Sequence, residues 1–411
     1  MGLKEDALKY HGEQNGILGV CSKVKLRTRD DLSLAYTPGV AEPCKVIKEE
    51  PDLSFSLTCR GNMIAVVSDG TRVLGLGDIG PEAAIPVMEG KSVLFKCFAD
   101  VDAVPICIDT KDPEEIIRTV RLLQPTFAGI NLEDFSSPKC YDIEDRLKEM
   151  MDIPVFHDDQ HGTAIAILSG VTAALRLVKK DLKTARIVVN GCGAAGSATA
   201  RLLVNMGAEN VLSVEQCGIL YDGIDFDLNR IQKEVSRSTN KGKIIGDLTV
   251  AAKGADVLIG LSGPKLFTKE LMMTMNKDAI VFGCANPVPE IDYAEAKAAG
   301  VKVAGTGLSM YPNQINNVTV FPGVFRGALD VKARSVTEEM KIAAVHALAN
   351  LVEDKDLRED FVVADAFDPR VAPTVAEAVA KTAIEQGLAR QIVDPKEVYK
   401  NTLERVKKLQ S

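Results

Sequence analysis

The sequence predicts an α/β protein built from two α/β domains, with helical N- and C-terminal segments. The main evidence is the alternation of short apolar strands with helical segments between residues 64 and 306, which is typical of parallel sheets covered by helices. Strand patterns stop after Gly323, and helical patterns continue to the end of the chain. A glycine-rich turn also stands between an apolar strand and an alanine-rich helix near residue 191.

The order of the elements divides the chain at a long helix rich in small residues that starts at Gly162, which is interpreted as a connector. We assign the first domain to residues 1–160, the second to residues 161–385, and a C-terminal helical tail to residues 386–411. In the first domain the predicted strands are 64–68, 73–76, 103–108, 127–132 and 154–156, and the predicted helices are 82–98, 113–123 and 138–150. In the second domain the predicted strands are RIVVN, NVLSVE, DVLIGL, AIVFGCA and VKVAG.

Composition places the protein among ordinary soluble globular proteins. Of its 411 residues 46% are hydrophobic and 26% are charged, which suffices for two or three domains with buried cores. The 49 basic and 57 acidic side chains give a net charge of −8. Such a surface repels phosphate backbones and anionic lipid, so we expect neither nucleic acid nor a membrane as a partner.

Cysteine usage and the N-terminal residues indicate the compartment. The nine cysteines are scattered and include no C-x-x-C pair, which favours reduced thiols. The polar opening MGLKEDALKY lacks the apolar stretch of a signal peptide, and we find no uninterrupted run of about 18 apolar residues. We therefore expect a cytoplasmic protein.

The glycine-rich turn matches the G-x-G-x-x-G pattern of a dinucleotide site in a Rossmann-type domain. Gly191 permits the tight turn, Gly193 lets the backbone approach a pyrophosphate, and Gly196 lets the helix pack on the strand. Glu215 ends the next strand, 22 residues after Gly193, where an acidic side chain binds a ribose diol. The predicted cofactor-binding residues are Gly191, Gly193, Ala194, Ala195, Gly196 and Glu215. The alternative is a turn that only packs a helix, with Cys192 as a small filler in either case.

The residues after Glu215 bear on which dinucleotide binds. The next four residues include no Arg or Lys, so a 2′-phosphate would face a carboxylate with no evident counter-charge. We therefore predict NAD in preference to NADP, with NADP as the alternative.

Two acidic pairs fall at the ends of predicted strands. Glu133 and Asp134 follow one strand, and Asp158 and Asp159 follow another. Because ligands collect at the carboxyl ends of parallel strands, both pairs can converge on one cleft, where a hard divalent cation would relieve their repulsion. Oxygen ligands favour Mg²⁺ or Mn²⁺. Each pair alone is more typical of a solvated turn or a helix cap.

Two histidines flank the second acidic pair at i and i+4. Such spacing can bind zinc on a helix, but neither an H-E-x-x-H motif nor thiolate ligands accompany His157 and His161. We therefore interpret His161 as a residue of the helix start or as a group that supports the site.

Several blocks, ordered along nearly the whole chain, resemble the malic enzymes, specifically their short bacterial-type form. They are AYTPGVA (35–41), LGLGDIG (74–80), EGK (89–91), NLED (131–134), FHDDQHGT (156–163), NP (286–287) and YPNQINN (311–317). Together these blocks are far more specific than the glycine turn. The resemblance implies oxidative decarboxylation of L-malate to pyruvate and CO₂ with NAD(P)⁺ and Mg²⁺ or Mn²⁺.

The resemblance also implies roles for individual residues. Lys91 would be the base that removes the hydroxyl proton, Tyr36 the acid that protonates the enolpyruvate carbon, and Asp158 a support for proton transfer. The metal would be held by Glu133, Asp134 and Asp159, and the substrate by Arg72, Asn317 and Asn286, the last also beside the nicotinamide. A useful base needs a pKa of roughly 7–8, against about 10.4 for an ordinary lysine, so we expect Lys91 to be buried beside the cation.

The resemblance further implies a homodimer, whose N-terminal segment of roughly residues 1–30 reaches a neighbour, so that Tyr36 could serve either subunit's site. The chain departs from the family's usual TGRSDYPNQ, because Leu308 and Met310 replace an Arg and an Asp. Two alternatives stay open. One is a metal-independent amino-acid dehydrogenase with a lysine base, and the other is a dinucleotide- or malate-binding sensor without turnover.

Overall fold

The computed structural model describes residues 2–410 and confirms the predicted α/β class. The strands of the first sheet are β1 (Met63–Ser68), β2 (Asp102–Cys107), β3 (Gly129–Leu132) and β4 (Val155–His157). They run parallel in the order β2-β1-β3-β4. The helices of this part are α1 (Leu3–Gln14), α2 (Arg29–Ala35), α3 (Ala41–Glu49), α4 (Ser54–Leu57), α5 (Pro81–Ala99), α6 (Pro113–Leu122) and α7 (Lys139–Met150). Short 3₁₀ turns cover Pro51–Leu53 and Cys59–Asn62.

The second sheet has six strands. They are β5 (Arg186–Asn190), β6 (Asn210–Glu215), β7 (Gly218–Ile219), β8 (Val257–Gly260), β9 (Ile280–Gly283) and β10 (Val303–Thr306). Their order is β10-β9-β8-β5-β6-β7, and only the β6–β7 pairing is antiparallel. The helices between them are α9 (Ala194–Asn205), α10 (Arg230–Ser238), α11 (Leu248–Ala252), α12 (Lys269–Met272) and α13 (Tyr293–Ala298).

Helix α8 (Asp158–Val178) connects the two sheets. It starts four residues before the predicted Gly162, so the second acidic pair lies in its first turn rather than in a loop. By length and composition α8 could also cross a membrane, although polar residues interrupt its apolar sequence. Since 67% of its apolar window is buried inside the protein, it has the burial of a core helix.

The C-terminal helices close the fold around both sheets. They are α14 (Phe321–Asp330), α15 (Glu338–Leu351), α16 (Val371–Glu385) and α17 (Pro395–Gln410), preceded by a 3₁₀ turn at Asn317–Thr319. Phe95 of α5 packs on the rings of Phe321 and Phe325, at 4.6 and 5.3 Å between ring centroids. Helix α17 packs against α5 and α16, so the predicted tail is joined to the first part of the chain. The bounds at 160 and 385 stay predictions.

One predicted strand was wrong, and one short strand was not predicted. Residues 73–76 form a turn in which Val73 and Gly77 make a single antiparallel bridge, because Leu74 and Gly77 take positive φ angles of 47° and 77° that a strand cannot contain. Strand β7 was missed, since two residues are too few to show an alternating pattern.

Candidate active site

A cavity of about 670 Å³ lies where the carboxyl ends of the two sheets face each other. Its lining includes ten of the predicted site residues: Arg72, Lys91, Glu133, Asp134, Asp159, Gly193, Ala194, Ala195, Asn286 and Asn317. Both sheets therefore contribute to one site, as expected for ligands that bind outside the carboxyl ends of parallel strands. Asp158 lies directly behind this lining and is fully buried.

Three carboxylates converge at one end of the cavity. Glu133 and Asp134 follow β3, and Asp159 lies in the first turn of α8. One oxygen from each of the three lies within 4.8 Å of the others. The Asp134 backbone N–H donates to Asp159 Oδ2 at 2.8 Å, which locks the two segments together. Asp134 Oδ2 is buried and has no hydrogen-bond partner among residues 2–410.

The electrostatics of this cluster favour a cation. Burial raises the pKa of Glu133 well above its usual range, and the neighbouring carboxylates raise it further despite the ammonium of Lys91. Burial and then the Asp159 carboxylate raise the pKa of Asp134 in the same way. Carboxylate oxygens, their close approach and the unpartnered Asp134 oxygen together fit a hard divalent ion such as Mg²⁺ or Mn²⁺.

Lys91 projects from α5 into the same cluster and is only 8% exposed. Its Nζ lies 2.5 Å from Asp158 Oδ2 and 3.0 Å from Glu133 Oε1. Burial lowers the pKa of Lys91, but the charges of Asp158 and Glu133 outweigh burial, and the net shift is upward. The expected burial is present, whereas the expected downward shift of the pKa is not, because the carboxylates of Asp158, Glu133 and Asp159 surround the ammonium.

Asp158 is held in place by contacts that the sequence did not predict. It accepts a hydrogen bond of 2.5 Å from Asn317 Nδ2 in addition to the Lys91 contact. A Cβ at Gly162 would lie 1.8 Å from Asp158 Oδ1, so only glycine fits one turn further along α8. Close packing against Asp158 therefore explains the glycine at position 162 of the FHDDQHGT block.

A buried polar cluster supports the start of α8. Glu144 accepts hydrogen bonds from the backbone N–H of His157 and from the Gln160 side chain, and its carboxylate lies 2.8 Å from His161 Nε2. Lys341 of α15 lies 3.0 Å from His161 Nδ1. His161 thus supports the site from behind and belongs to an ion network, which sequence spacing alone could not reveal.

The glycine turn has the geometry of a dinucleotide site. Gly191 has a φ of 101°, and a Cβ at Gly196 would lie 1.7 Å from the Gly191 carbonyl oxygen. Gly193 faces open space beside the cavity, so a phosphate can approach its backbone. Glu215 lies against the turn, since its carboxylate accepts the Cys192 N–H at 2.9 Å. Cys192 is fully buried, in keeping with a filler.

The loop that carries Asn286 sits between the two sheets. A Cβ on Gly307 would lie 3.0 Å from Asn286 Nδ2, and a Cβ on Gly75 would lie 3.0 Å from Pro287. The LGLGDIG turn of the first part therefore touches the cofactor-side loop of the second. The lack of a side chain at Gly75 allows this close approach.

The structure does not bring Tyr36 to the cavity. Tyr36 follows α2, is 68% exposed and is absent from the lining. The departures at Leu308 and Met310 also lie outside the lining, and Met310 is 75% exposed.

The fold and the cavity define an α/β protein with a dinucleotide-binding domain. Comparison with known families matches residues 18–148 to the malic enzyme N-terminal domain and residues 160–384 to the malic enzyme NAD-binding domain. The chain belongs to the malic enzyme family, as the sequence blocks indicated.

Individual relatives agree with this assignment. The bifunctional malic/malolactic enzyme of Bacillus subtilis is 52% identical over 98% of this chain and 98% of its own length. The NAD-dependent malic enzyme of Geobacillus stearothermophilus is 50% identical over 90% of this chain and 77% of its own length. The crystal structure of the malic enzyme from Pyrococcus horikoshii has a TM-score of 0.96 and 45% identity, covering 100% of this chain and 97% of that one. Other relatives, 43% and 42% identical, are NADP-dependent malic enzymes, and the chain covers 54% of their length.

Proposed function

We propose that the protein catalyses the oxidative decarboxylation of L-malate to pyruvate and CO₂, with reduction of NAD⁺ and dependence on Mg²⁺ or Mn²⁺. The observation that carries the proposal is the convergence of a buried lysine, three carboxylates and a glycine turn on one cavity. The malic enzymes among its relatives support the same reaction.

Lys91 acts as the general base in this proposal. It removes the proton of the malate 2-hydroxyl, and Asp158 and Glu133 position its ammonium beside the cluster. Glu133, Asp134 and Asp159 would hold the divalent cation, which would supply Lewis-acid stabilisation of negative charge on the malate oxygens, and the nicotinamide would supply the hydride acceptor. The carboxylates of Asp158 and Glu133 hold the pKa of Lys91 up, so Lys91 would act as a base only where positive charge on the neighbouring carboxylates offsets their effect.

The remaining polar residues of the lining bind and orient the substrate. Arg72 and Asn317 are assigned to the malate carboxylates, because a guanidinium and an amide donate hydrogen bonds to such groups. Asn286 is assigned to a place beside substrate and nicotinamide, since its loop lies between the two sheets. Gly191, Gly193, Ala194, Ala195 and Gly196 are assigned to the pyrophosphate.

An absorbance assay at 340 nm tests the proposal directly. We expect malate-dependent reduction of NAD⁺ that requires added Mn²⁺ and stops on addition of EDTA. Oxidation of an amino acid without metal would instead support the amino-acid dehydrogenase alternative. Binding of malate and NAD⁺ with no turnover would support the sensor alternative.

We predict a preference for NAD⁺ over NADP⁺ of about tenfold or more in kcat/KM. The Glu215 carboxylate accepts a hydrogen bond from the Cys192 N–H of the glycine turn, and its negative charge would repel a 2′-phosphate. Glu215→Gln should keep the size of the side chain, remove the charge and raise kcat/KM for NADP⁺ relative to NAD⁺. A clear NADP⁺ preference in the unaltered protein would contradict this interpretation of Glu215.

We also propose a homodimer in which Tyr36 of one copy completes the site of the other. No residue of α1, α2 or α3, all of which the structure describes, is buried in a single copy. Exposed apolar side chains concentrate in the same part of the chain: Val20, Val24, Leu26, Leu32 and Leu34. Exposed apolar surface of this kind is typical of an interface. An acid is needed at the cavity, and Tyr36 of the same copy does not line it.

Subunit mixing tests the shared site. Tyr36→Phe and Lys91→Arg proteins should each be nearly inactive, and heterodimers formed from the two should regain activity. One site of each heterodimer would then combine an intact Lys91 with an intact Tyr36 from the other copy. If each copy uses its own Tyr36, every site keeps one defect and the mixture stays inactive. Mixing each variant with itself provides the control.

A further inference from the structure

A fully buried carboxylate lies beneath the cofactor side of the cavity, and the reaction proposed above does not use it. Glu290 follows β9 and has no exposed surface. Its Oε1 accepts the backbone N–H of Ser262, and its Oε2 accepts the backbone N–H of Ala285, each at 3.0 Å. Within residues 2–410 it forms no ion pair. Burying a carboxylate is costly, so its hydrogen bonds to two separate loops are its main compensation.

The two loops that Glu290 joins both line the cavity. Residues 261–264 follow β8, and residues 284–286 follow β9. The first loop is held a second time, because Asn190 Nδ2 donates to Ser262 Oγ at 2.8 Å. The second loop carries Asn286, which we assign to the nicotinamide. One side chain therefore joins two loops that both line the cavity.

Residues next to Glu290 leave space for its carboxylate and pair with its backbone. A Cβ at Gly260 would lie 2.4 Å from Glu290 Cδ, so glycine leaves room for the side chain at the end of β8. Backbone pairing joins the same segments, since the N–H of Phe267 donates to the Glu290 carbonyl and the N–H of Lys265 donates to the Pro289 carbonyl. The Glu290 carboxylate and these backbone hydrogen bonds therefore join the segment that follows β8 to the segment that follows β9.

We propose that Glu290 is a positioning residue for the dinucleotide, which sets cofactor affinity by bridging the Ser262 and Ala285 amides. This inference rests on the proposed function, since it assumes a nicotinamide dinucleotide in the cavity. Both bridging bonds need an acceptor oxygen. Glutamine has nearly the same shape but offers one acceptor, so in Glu290→Gln one of the two loop amides loses its partner.

NADH fluorescence titration, which needs no metal or turnover, tests the proposal. We expect Glu290→Gln to weaken NADH binding about tenfold, the effect of one lost buried hydrogen bond, and to raise KM for NAD⁺ with little change in KM for malate. Mn²⁺ binding, followed by electron paramagnetic resonance, should be unchanged, because the carboxylate cluster lies at the other sheet. Glu295→Gln, an exposed change on α13, is the matched control and should leave both affinities unaltered.

A second variant covers the case in which Glu290→Gln does not fold. Gly260→Ala keeps the carboxylate but displaces it, and it should weaken NADH binding in the same direction. If Glu290→Gln binds NADH within about twofold of the parent, this inference alone is overturned. Where only Gly260→Ala folds, the same result in that variant overturns it. Parallel losses of NADH and Mn²⁺ binding would also overturn it, since they indicate general disruption. A parent protein that binds no NADH would overturn the proposed function and this inference together.

Discussion

Lys91→Arg is expected to lower kcat for malate oxidation by about 10²–10⁴-fold, which is the usual contribution of a general base. Arginine keeps the positive charge that faces Asp158 and Glu133, but it does not lose its proton at any working pH. A loss of activity in this variant therefore reflects the loss of a base and not the loss of positive charge. Steady-state rates of NAD⁺ reduction measure the loss, while the unfolding temperature and the NADH dissociation constant should stay near those of the parent.

Lys139→Arg is the matched control for this substitution. Lys139 Nζ pairs with Asp69 at 2.5 Å, and Lys139 is absent from the cavity lining. It should therefore tolerate arginine with a rate near that of the parent. Lys91→Ala is a poorer test, because removing one partner of a buried ion pair costs about 3–5 kcal/mol of stability. A Lys91→Arg protein that turns over within threefold of the parent would exclude Lys91 as the base.

The class of fold and most of its strands could be predicted because buried parallel strands appear as short apolar runs. The strand RIVVN, for example, matches β5 residue for residue. Residues 73–76 contain the same kinds of apolar side chains, yet they form a turn. The turn contains positive φ angles at Leu74 and Gly77, and its Gly75 lies close to Pro287, which is more than 200 residues further along the chain. A local pattern does not contain that contact.

The site, like the fold, has features that the sequence could predict and features that it could not. Carboxylates that follow strands converge because parallel strands end at one edge, so the pairs Glu133/Asp134 and Asp158/Asp159 could be grouped from the sequence. The choice of Glu133, Asp134 and Asp159 as the metal ligands came from the resemblance alone. The pKa direction of Lys91 could not be predicted, because it depends on how many carboxylates lie close to one ammonium. The roles of Glu144 and Glu290 depend on distances between separate elements and carry no local signal. Tyr36 was identified by resemblance alone, and a single copy of the chain does not bring it to the cavity.

Asp159→Asn is expected to weaken Mn²⁺ binding by about 100-fold or more and to abolish malate oxidation at micromolar Mn²⁺. Asp159 supplies one of three carboxylates whose oxygens lie within 4.8 Å, and asparagine removes its charge. Loss of a group that only supports a metal ligand already costs about 10–100-fold in affinity, so loss of a charged ligand should cost at least as much. Electron paramagnetic resonance of free Mn²⁺ measures the affinity in protein treated with EDTA and then dialysed.

The same titration should depend on pH in a defined direction. Burial and neighbouring charge raise the pKa of Glu133 and Asp134, so these groups hold protons at a pH where ordinary carboxylates are ionised. The metal must displace those protons, and its affinity should therefore rise as pH increases from 6 to 8, by up to about tenfold per unit for each proton released. Asp142→Asn, an exposed change on α7, is the control and should preserve both the affinity and its slope. Mn²⁺ affinity that is independent of pH, or equal in Asp159→Asn and the parent, would contradict a metal site at these carboxylates.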